Sequence, residues 1–192
     1  MEFAAHSQKP ACGVSTGQPV SGDFDVKIRL RRRFYTAGFA TFINLSCMTV
    51  IDQVRAAWSW IGIDPVEVVG ENDFGNLIVK DALGRYWRLS PEECSCEVVA
   101  SNRYDLDVLS KNQEFLRDWH MSALVNYAFK TLGVLPEGYK YCLKVPGVLG
   151  GEYGGENIAK ISFDELINAS GYIAKQIKDL PDGSKIKLEV TD

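Results

Sequence analysis

Residues 66–100, VEVVGENDFGNLIVKDALGRYWRLSPEECSCEVVA, alternate short apolar runs with turn sequences. The runs at 66–70, 76–81, 85–90 and 96–100 have the β-branched and aromatic character of strands. ENDFGN and ALGR are turn sequences, and the strands recur every 8–10 residues or so, as expected for strands joined by short hairpins. The sequence therefore predicts an antiparallel meander.

Helical periodicity flanks this meander. Apolar residues at helical spacing predict a helix over 49–61, which Gly62 and Pro65 end. Over 104–133 the pattern predicts a short helix and then one long helix, QEFLRDWHMSALVNYAFKTLG. Its expected core-facing residues are Phe115, Trp119, Leu124, Tyr127 and Ala128.

The C-terminal part returns to strands. GYKYCLKVPG and NIAKIS have strand character, Ser162 and Glu165 form a capping box for a helix over 163–179, and a last strand is expected at 185–190. Strands and helices come in blocks, without βαβ alternation. The predicted fold class is α+β: an antiparallel meander sheet packed with helices in a single domain, 48–192.

Residues 1–47 differ from this body. They begin with a Gly-, Ser- and Pro-rich stretch typical of disorder, followed by RLRRR and an uncharged run from Phe34 to Ile51. A basic cluster before an apolar run resembles an export signal or membrane anchor, but polar residues dilute the run. We expect instead that Met48 is the native start and that 1–47 is a disordered or misassigned extension.

Charge is unevenly distributed. Residues 1–47 hold six basic and three acidic residues, whereas 48–192 hold 15 basic and 22 acidic residues. An acidic body repels nucleic-acid phosphates and favours basic protein partners. We therefore expect no nucleic-acid partner and no membrane partner.

Five cysteines without framework spacing argue against a secreted disulfide scaffold. Cys94 and Cys96 would share one face of a strand, so that half of a zinc site with Cys142 and His120 is conceivable. Reduced, buried cysteines of a cytoplasmic protein are the preferred interpretation. We expect no metal and no cofactor.

The segment VPGVLGGEYGGENIAKI (145–161) contains five glycines between Gly147 and Gly155. A phosphate-binding P-loop would need a closing Lys-Ser/Thr pair, and the glutamates at 152 and 156 would repel phosphate. Positive φ angles and close backbone packing explain the glycines better. We call residues 145–157 the glycine loop.

Catalytic patterns are weak. GVSTG (13–17) matches a nucleophile elbow but lacks its strand–turn–helix context. His120, with Asp118 as a partner, could act as a general base, although a histidine on a helix surface is the simpler interpretation. Among the aromatic residues that could form a binding face, Trp60 and Tyr141 are out of phase with the buried stripes and are expected to be exposed.

Several longer strings carry a family resemblance: P-x-V-L-G-G-x-Y (146–153), ENI (156–158), QIKDLPDG (176–183), DWHM (118–121), FGN (74–76) and D-x-x-G-R-Y-W-R (81–88). With them, residues 48–192 resemble a bacterial family, long classed as a domain of unknown function, that is associated with type VI secretion immunity proteins. Its founding member protects against a DNase toxin.

The resemblance implies a binding protein, not an enzyme, that neutralises a cognate toxin in the cytoplasm, with a nuclease as one candidate. It also implies that the glycine loop faces the partner or packs the last helix. Candidate partner contacts are Glu152, Tyr153, Glu156, Trp60 and Tyr141. The alternative is a small ligand-binding module or enzyme that uses the glycine-rich loop over 147–156 or His120.

Overall fold

The computed structural model describes residues 25–31, 48–181 and 184–191. In chain order its elements are β1 (Asp25–Arg31), α1 (Val50–Trp58), β2 (Pro65–Glu71), β3 (Leu77–Asp81), β4 (Tyr86–Ser90), β5 (Ser95–Ala100), α2 (Arg103–Leu109), α3 (Gln113–His120), α4 (Ser122–Leu132), β6 (Tyr139–Leu143), β7 (Ile158–Ser162), α5 (Phe163–Ile177) and β8 (Lys185–Thr191).

The predicted meander is confirmed. Strands β2, β3, β4 and β5 pair in this order and all antiparallel, and β6 pairs with β7 as a separate antiparallel ribbon. The mixture of this sheet with helices confirms the α+β class. β1 pairs in parallel with β8, a pairing that the sequence did not predict for residues 25–31. The other residues of 1–47, GVSTG included, lie outside the described part of the chain.

One face of the meander carries the main core. Trp58 of α1, Leu77 and Val79 of β3, Leu89 of β4 and Ile167 of α5 are all nearly inaccessible to solvent and belong to one apolar cluster. The strand residues alternate, so their neighbours in sequence point to the opposite face. Helices α1 and α5 therefore cover one side of the sheet, and α1 begins with a complete capping box between Thr49 and Asp52.

The opposite face of the meander is covered at one end only. Ile78 and Tyr86 pack there against Leu106 of α2, with Phe115 and Trp119 of α3 beside them. The remaining part of this face, which faces the glycine loop, is open. A third cluster joins Leu124 and Ala128 of α4 to the β6–β7 ribbon.

The prediction of one long helix over residues 113–133 is wrong. Met121 has φ = 46°, a left-handed conformation that ends α3, and α4 begins at the next residue. The break lets the two helices serve different clusters, because α3 packs on the meander and α4 packs on the ribbon. Tyr127, expected in the core, is 42% exposed.

None of the helices in the described part of the chain combines the length and apolar character that a membrane span requires.

The packing of α5 on α1 depends on the absence of a side chain at Gly171. A Cβ atom there would lie 2.7 Å from the carbonyl oxygen of Ala57 and 3.1 Å from Nε1 of Trp58. We expect Gly171→Ala to lower the free energy of unfolding by about 1–3 kcal/mol through overpacking, although alanine inside a helix ordinarily stabilises it. Urea denaturation followed by circular dichroism measures the change.

The matched control is Asn168→Ala, on the exposed side of the same helix. It should change the free energy of unfolding by no more than about 0.5 kcal/mol. A Gly171→Ala protein as stable as wild type would show that the two helices separate without cost.

Candidate functional site

The open part of the sheet face forms a groove of about 380 Å³. Its floor comes from β4 and β5, one wall from the turn after β4, another from the end of α3, and the rim from the glycine loop. We call it the acidic groove; its lining residues are Arg88, Ser90, Glu92, Glu93, Ser95, Glu97, Val99, Asp118, Met121 and Tyr153.

The floor of the groove follows from strand alternation. Arg88 and Ser90 on β4 stand opposite Glu97 and Ser95 on β5, so that these side chains share one face. Glu97 is exposed. The intervening Leu89, by contrast, points into the main core. The same hairpin thus builds the core on one side and a polar surface on the other.

A buried amide holds the floor together. Asn76, fully inaccessible to solvent, donates from Nδ2 to both carboxylate oxygens of Glu92, at 2.9 and 2.8 Å. Its Oδ1 accepts from Nη2 of Arg88 at 3.2 Å and lies 3.4 Å from Nε. Glu92 itself is only 6% exposed. Asn76 therefore links the end of the first hairpin to the turn that carries Glu92.

Arg88 connects this floor to α3. Its guanidinium carbon lies 5.7 Å from the ring centre of Phe115 and 5.8 Å from that of Trp119, within the range of cation–π attraction. The same guanidinium donates to the carboxylate of Asp118. One side chain thus fixes the position of α3 and places Asp118, which remains largely exposed, on the groove wall.

Carboxylates dominate the charge of the groove. Glu92, Glu93, Glu97 and Asp118 face a single cation, Arg88. Burial raises the pKa of Glu92, against the lowering effect of its hydrogen bonds and of Arg88. Burial, and next the negative charge of Asp118, also raise the pKa of Glu93. Burial is therefore the main cause of both shifts, and repulsion by Asp118 adds to it at Glu93.

Hydrogen bonds between the side chain of Asn157 and the loop backbone hold the glycine loop in its conformation. Asn157 donates from Nδ2 to the carbonyl oxygens of Val145 and Glu152, and its Oδ1 accepts from the Val145 N–H at 2.9 Å. A Cβ atom at Gly151 would overlap the carbonyl oxygen of Val145, and Gly150 has φ = 85°. The prediction that these glycines serve positive φ angles and close packing is confirmed.

Tyr153 joins the loop to the groove. Its hydroxyl donates to the carboxylate of Glu93, its ring lies over Gly147 where no side chain would fit, and 48% of the residue is exposed. The loop therefore reaches the groove through this tyrosine. Among the loop residues, Glu152 and Glu156 are also exposed, but they do not line the groove.

The other two aromatic candidates do not line the acidic groove. The expected exposure of Tyr141 is wrong: it is 2% exposed, and its hydroxyl donates to the carbonyl oxygen of Gly133 at 2.7 Å, because β6 turns this side toward α4. Trp60 is partly buried against the main core, stacked on Trp58 at 6.1 Å, with its indole N–H donating to Ala57.

The cysteines and His120 do not come together as a metal site in the described part of the chain. Burial raises the pKa of Cys94 and of Cys96 to about 12 each, and that of Cys142 to about 11, which disfavours the metal-binding thiolate. Within the described ranges no group of three or more His, Cys, Asp and Glu side chains is placed to hold a metal ion. His120 is exposed at the end of α3, and Asp118 pairs with Arg88.

Comparison with known protein families finds a match for one segment of the chain. Residues 100–174 match the sequence model of a family described as T6SS immunity protein, Tdi1, C-terminal. The predicted resemblance to type VI secretion immunity proteins is confirmed for this segment. The match covers less than half of the 192 residues, from the end of β5 into α5. No curated protein matches the chain significantly.

The matched segment and the residues before it both contribute to the groove. Asp118, Met121 and Tyr153 lie inside the match, whereas β4, all of β5 except Ala100, the buried Glu92 and the exposed Glu93 precede it. The predicted extension of the resemblance over 48–99 and 175–192 stays a prediction. The description of the matched family supports an immunity role for this segment.

Sequence reasoning missed most of the groove. Glu92 and Glu93 read as turn residues after Pro91, and nothing in the string SPEEC shows that Asn76 will bury one of them. Arg88 lay within a recognised motif, but its contacts with α3 are tertiary. Tyr153 was found through its position in the glycine loop, and Asp118 was named only as a partner of His120.

The raised pKa of Glu92 predicts a pH dependence of stability. Because the folded protein keeps the proton on this carboxyl at higher pH than the unfolded chain does, folding is less favoured as the pH rises from the ordinary value of 4.5 through the raised one. Glu92→Gln has no carboxyl to ionise, so we expect it to flatten part of this decline. Urea denaturation at successive pH values measures it.

Glu67→Gln, at the exposed opposite edge of the sheet, controls for the loss of one negative charge. If Glu92→Gln showed the same decline as wild type across this pH window, the buried carboxyl would not be its source.

Proposed function

We propose that this protein neutralises a cognate type VI secretion toxin by binding it directly, without catalysing a reaction. The observation that carries the proposal is the family match over residues 100–174, which includes α3 and the glycine loop. Immunity requires a surface complementary to the toxin. The acidic groove, with a half-exposed tyrosine at its rim, is our candidate for this surface, and three of its lining residues, Asp118, Met121 and Tyr153, belong to the matched segment.

The toxin that this surface suits best is a nuclease. A nuclease binds the phosphates of its substrate with basic residues. A partner whose residues 48–192 carry 22 acidic and 15 basic residues is steered toward such a surface by long-range attraction. Inhibition then follows from occupation of the site that nucleic acid would use.

The alternative, a small-molecule site or an active site on the glycine loop, has less support. Gly151 packs against the carbonyl group of Val145 and Gly147 against Tyr153, and Tyr153 is the loop residue that lines the groove. This alternative requires that His120→Ala abolish an activity or a ligand affinity. The immunity proposal requires that this substitution leave toxin neutralisation intact.

Co-expression tests the proposal. The full chain carries an affinity tag and is produced together with the protein encoded by the adjacent gene, in cells that the adjacent protein kills when produced alone. We expect survival and a stoichiometric complex by size-exclusion chromatography with light scattering. Cell death despite production of both proteins, together with no complex, would overturn it.

Tyr153 provides a point test of the loop. We expect Tyr153→Ala to weaken toxin binding on the order of tenfold, because tyrosine is enriched among the residues that dominate the binding energy of interfaces. Isothermal titration calorimetry with a catalytically inactive toxin measures the dissociation constant.

The matched control is Tyr172→Ala, on the outer side of α5, where the tyrosine has a similar exposure of 44%. Circular dichroism establishes that both variants remain folded. Equal affinities for the two variants would remove Tyr153 from the interface.

A further inference from the structure

We propose that the acidic groove receives an arginine- or lysine-bearing segment of the toxin, with Glu97 and Asp118 as its ion-pair partners and Tyr153 as a flanking aromatic contact. The inference rests on the proposed immunity function and assigns that function to one face of the molecule.

The first support is the open sheet face itself. Helices α2 and α3 cover the end of the meander formed by Ile78 and Tyr86, and leave Ser95 partly exposed and Glu97 exposed on the same face. In the sheet formed by the described residues β5 is an edge strand, so that a segment of another protein can lie along the groove beside it.

The second support is charge complementarity. Of the groove carboxylates, Glu97 is exposed and Asp118 is 66% exposed, so both can meet an incoming cation. The cation already present, Arg88, is only 14% exposed and is held by Asn76, Asp118 and two aromatic rings. It therefore neutralises its own neighbours and repels a basic segment only weakly.

The third support is the mixture of apolar and polar lining. Val99 and Met121 give the groove apolar surface, and the ring of Tyr153 stands at its rim. An arginine or lysine side chain needs this combination, because its methylene stem packs on apolar atoms while its charged end reaches a carboxylate. A guanidinium can also stack on the tyrosine ring.

The groove is also rigid before any partner arrives. Asn76 holds Glu92 and Arg88 in the floor, and Asn157 and Gly151 hold the loop that carries Tyr153. Binding then costs little ordering of side chains, which favours affinity. The negative charge excludes the other macromolecular occupants: nucleic acid and anionic membranes are repelled, and so is a second acidic copy of this chain.

Charge reversal at Glu97 tests this assignment. Glu97→Lys lies on the groove floor, and Glu67→Lys, the matched control, lies on the other edge strand, β2, where the side chain is 60% exposed. We expect Glu97→Lys to weaken binding of the co-purified, catalytically inactive toxin on the order of tenfold or more and to flatten its salt dependence. Glu67→Lys should bind like wild type.

A second probe does not depend on the identity of the toxin. A fluorescent nona-arginine peptide is titrated into wild type, Glu97→Lys and Glu67→Lys, with polarisation as the readout. Selective loss with Glu97→Lys supports the groove as the site for basic segments. Equal loss with both variants means that the peptide senses only net charge, and it overturns the assignment.

The two failures are distinguishable. If wild type did not bind the toxin, the proposed immunity function would be wrong. The peptide titration alone would then show whether the groove binds basic segments. If wild type bound the toxin but Glu97→Lys bound it equally well, the function would stand and the groove would be excluded. Glu97→Gln replaces Glu97→Lys if the reversed charge impairs folding, with Glu67→Gln as its control.

Discussion

The hydrogen bonds of Asn76 are the constraint on which the candidate site depends. This buried amide satisfies a buried glutamate on one side and an arginine on the other. Its backbone N–H donates to the side chain of Asn72, which also binds the carbonyl oxygen of Trp119. A buried carboxylate without such a partner would be costly, so the amide makes the polar floor compatible with folding.

From that constraint the shape of the groove follows. Arg88, aligned by Asn76, holds the aromatic residues of α3 against one end of the sheet. The left-handed conformation of Met121 then ends α3, so that α4 runs in a new direction and packs against the β6–β7 ribbon. The sheet face around Glu97 therefore stays exposed. An unbroken helix over 113–133 could not have served both clusters.

The sequence predicted what depends on local patterns and missed what depends on distant partners. Turn spacing predicted the four-stranded meander. The burial of Tyr141 and Glu92 was missed, because each is fixed by a residue far along the chain or in another element. The left-handed Met121 has no signal in the sequence, since glycine usually occupies such positions.

The strings that carried the family resemblance have mainly structural roles. Asp81 of D-x-x-G-R-Y-W-R is buried, and accepts from the indole of Trp87 at 2.8 Å and the guanidinium of Arg85 at 2.7 Å, which fixes the hairpin. Asn157 of ENI closes the glycine loop in a similar way. Asp118 and Tyr153 also lie within these strings, whereas Glu97, exposed on the groove floor, lies outside them. Because most of the resemblance rests on residues that fix the backbone, it identifies the scaffold more directly than the partner.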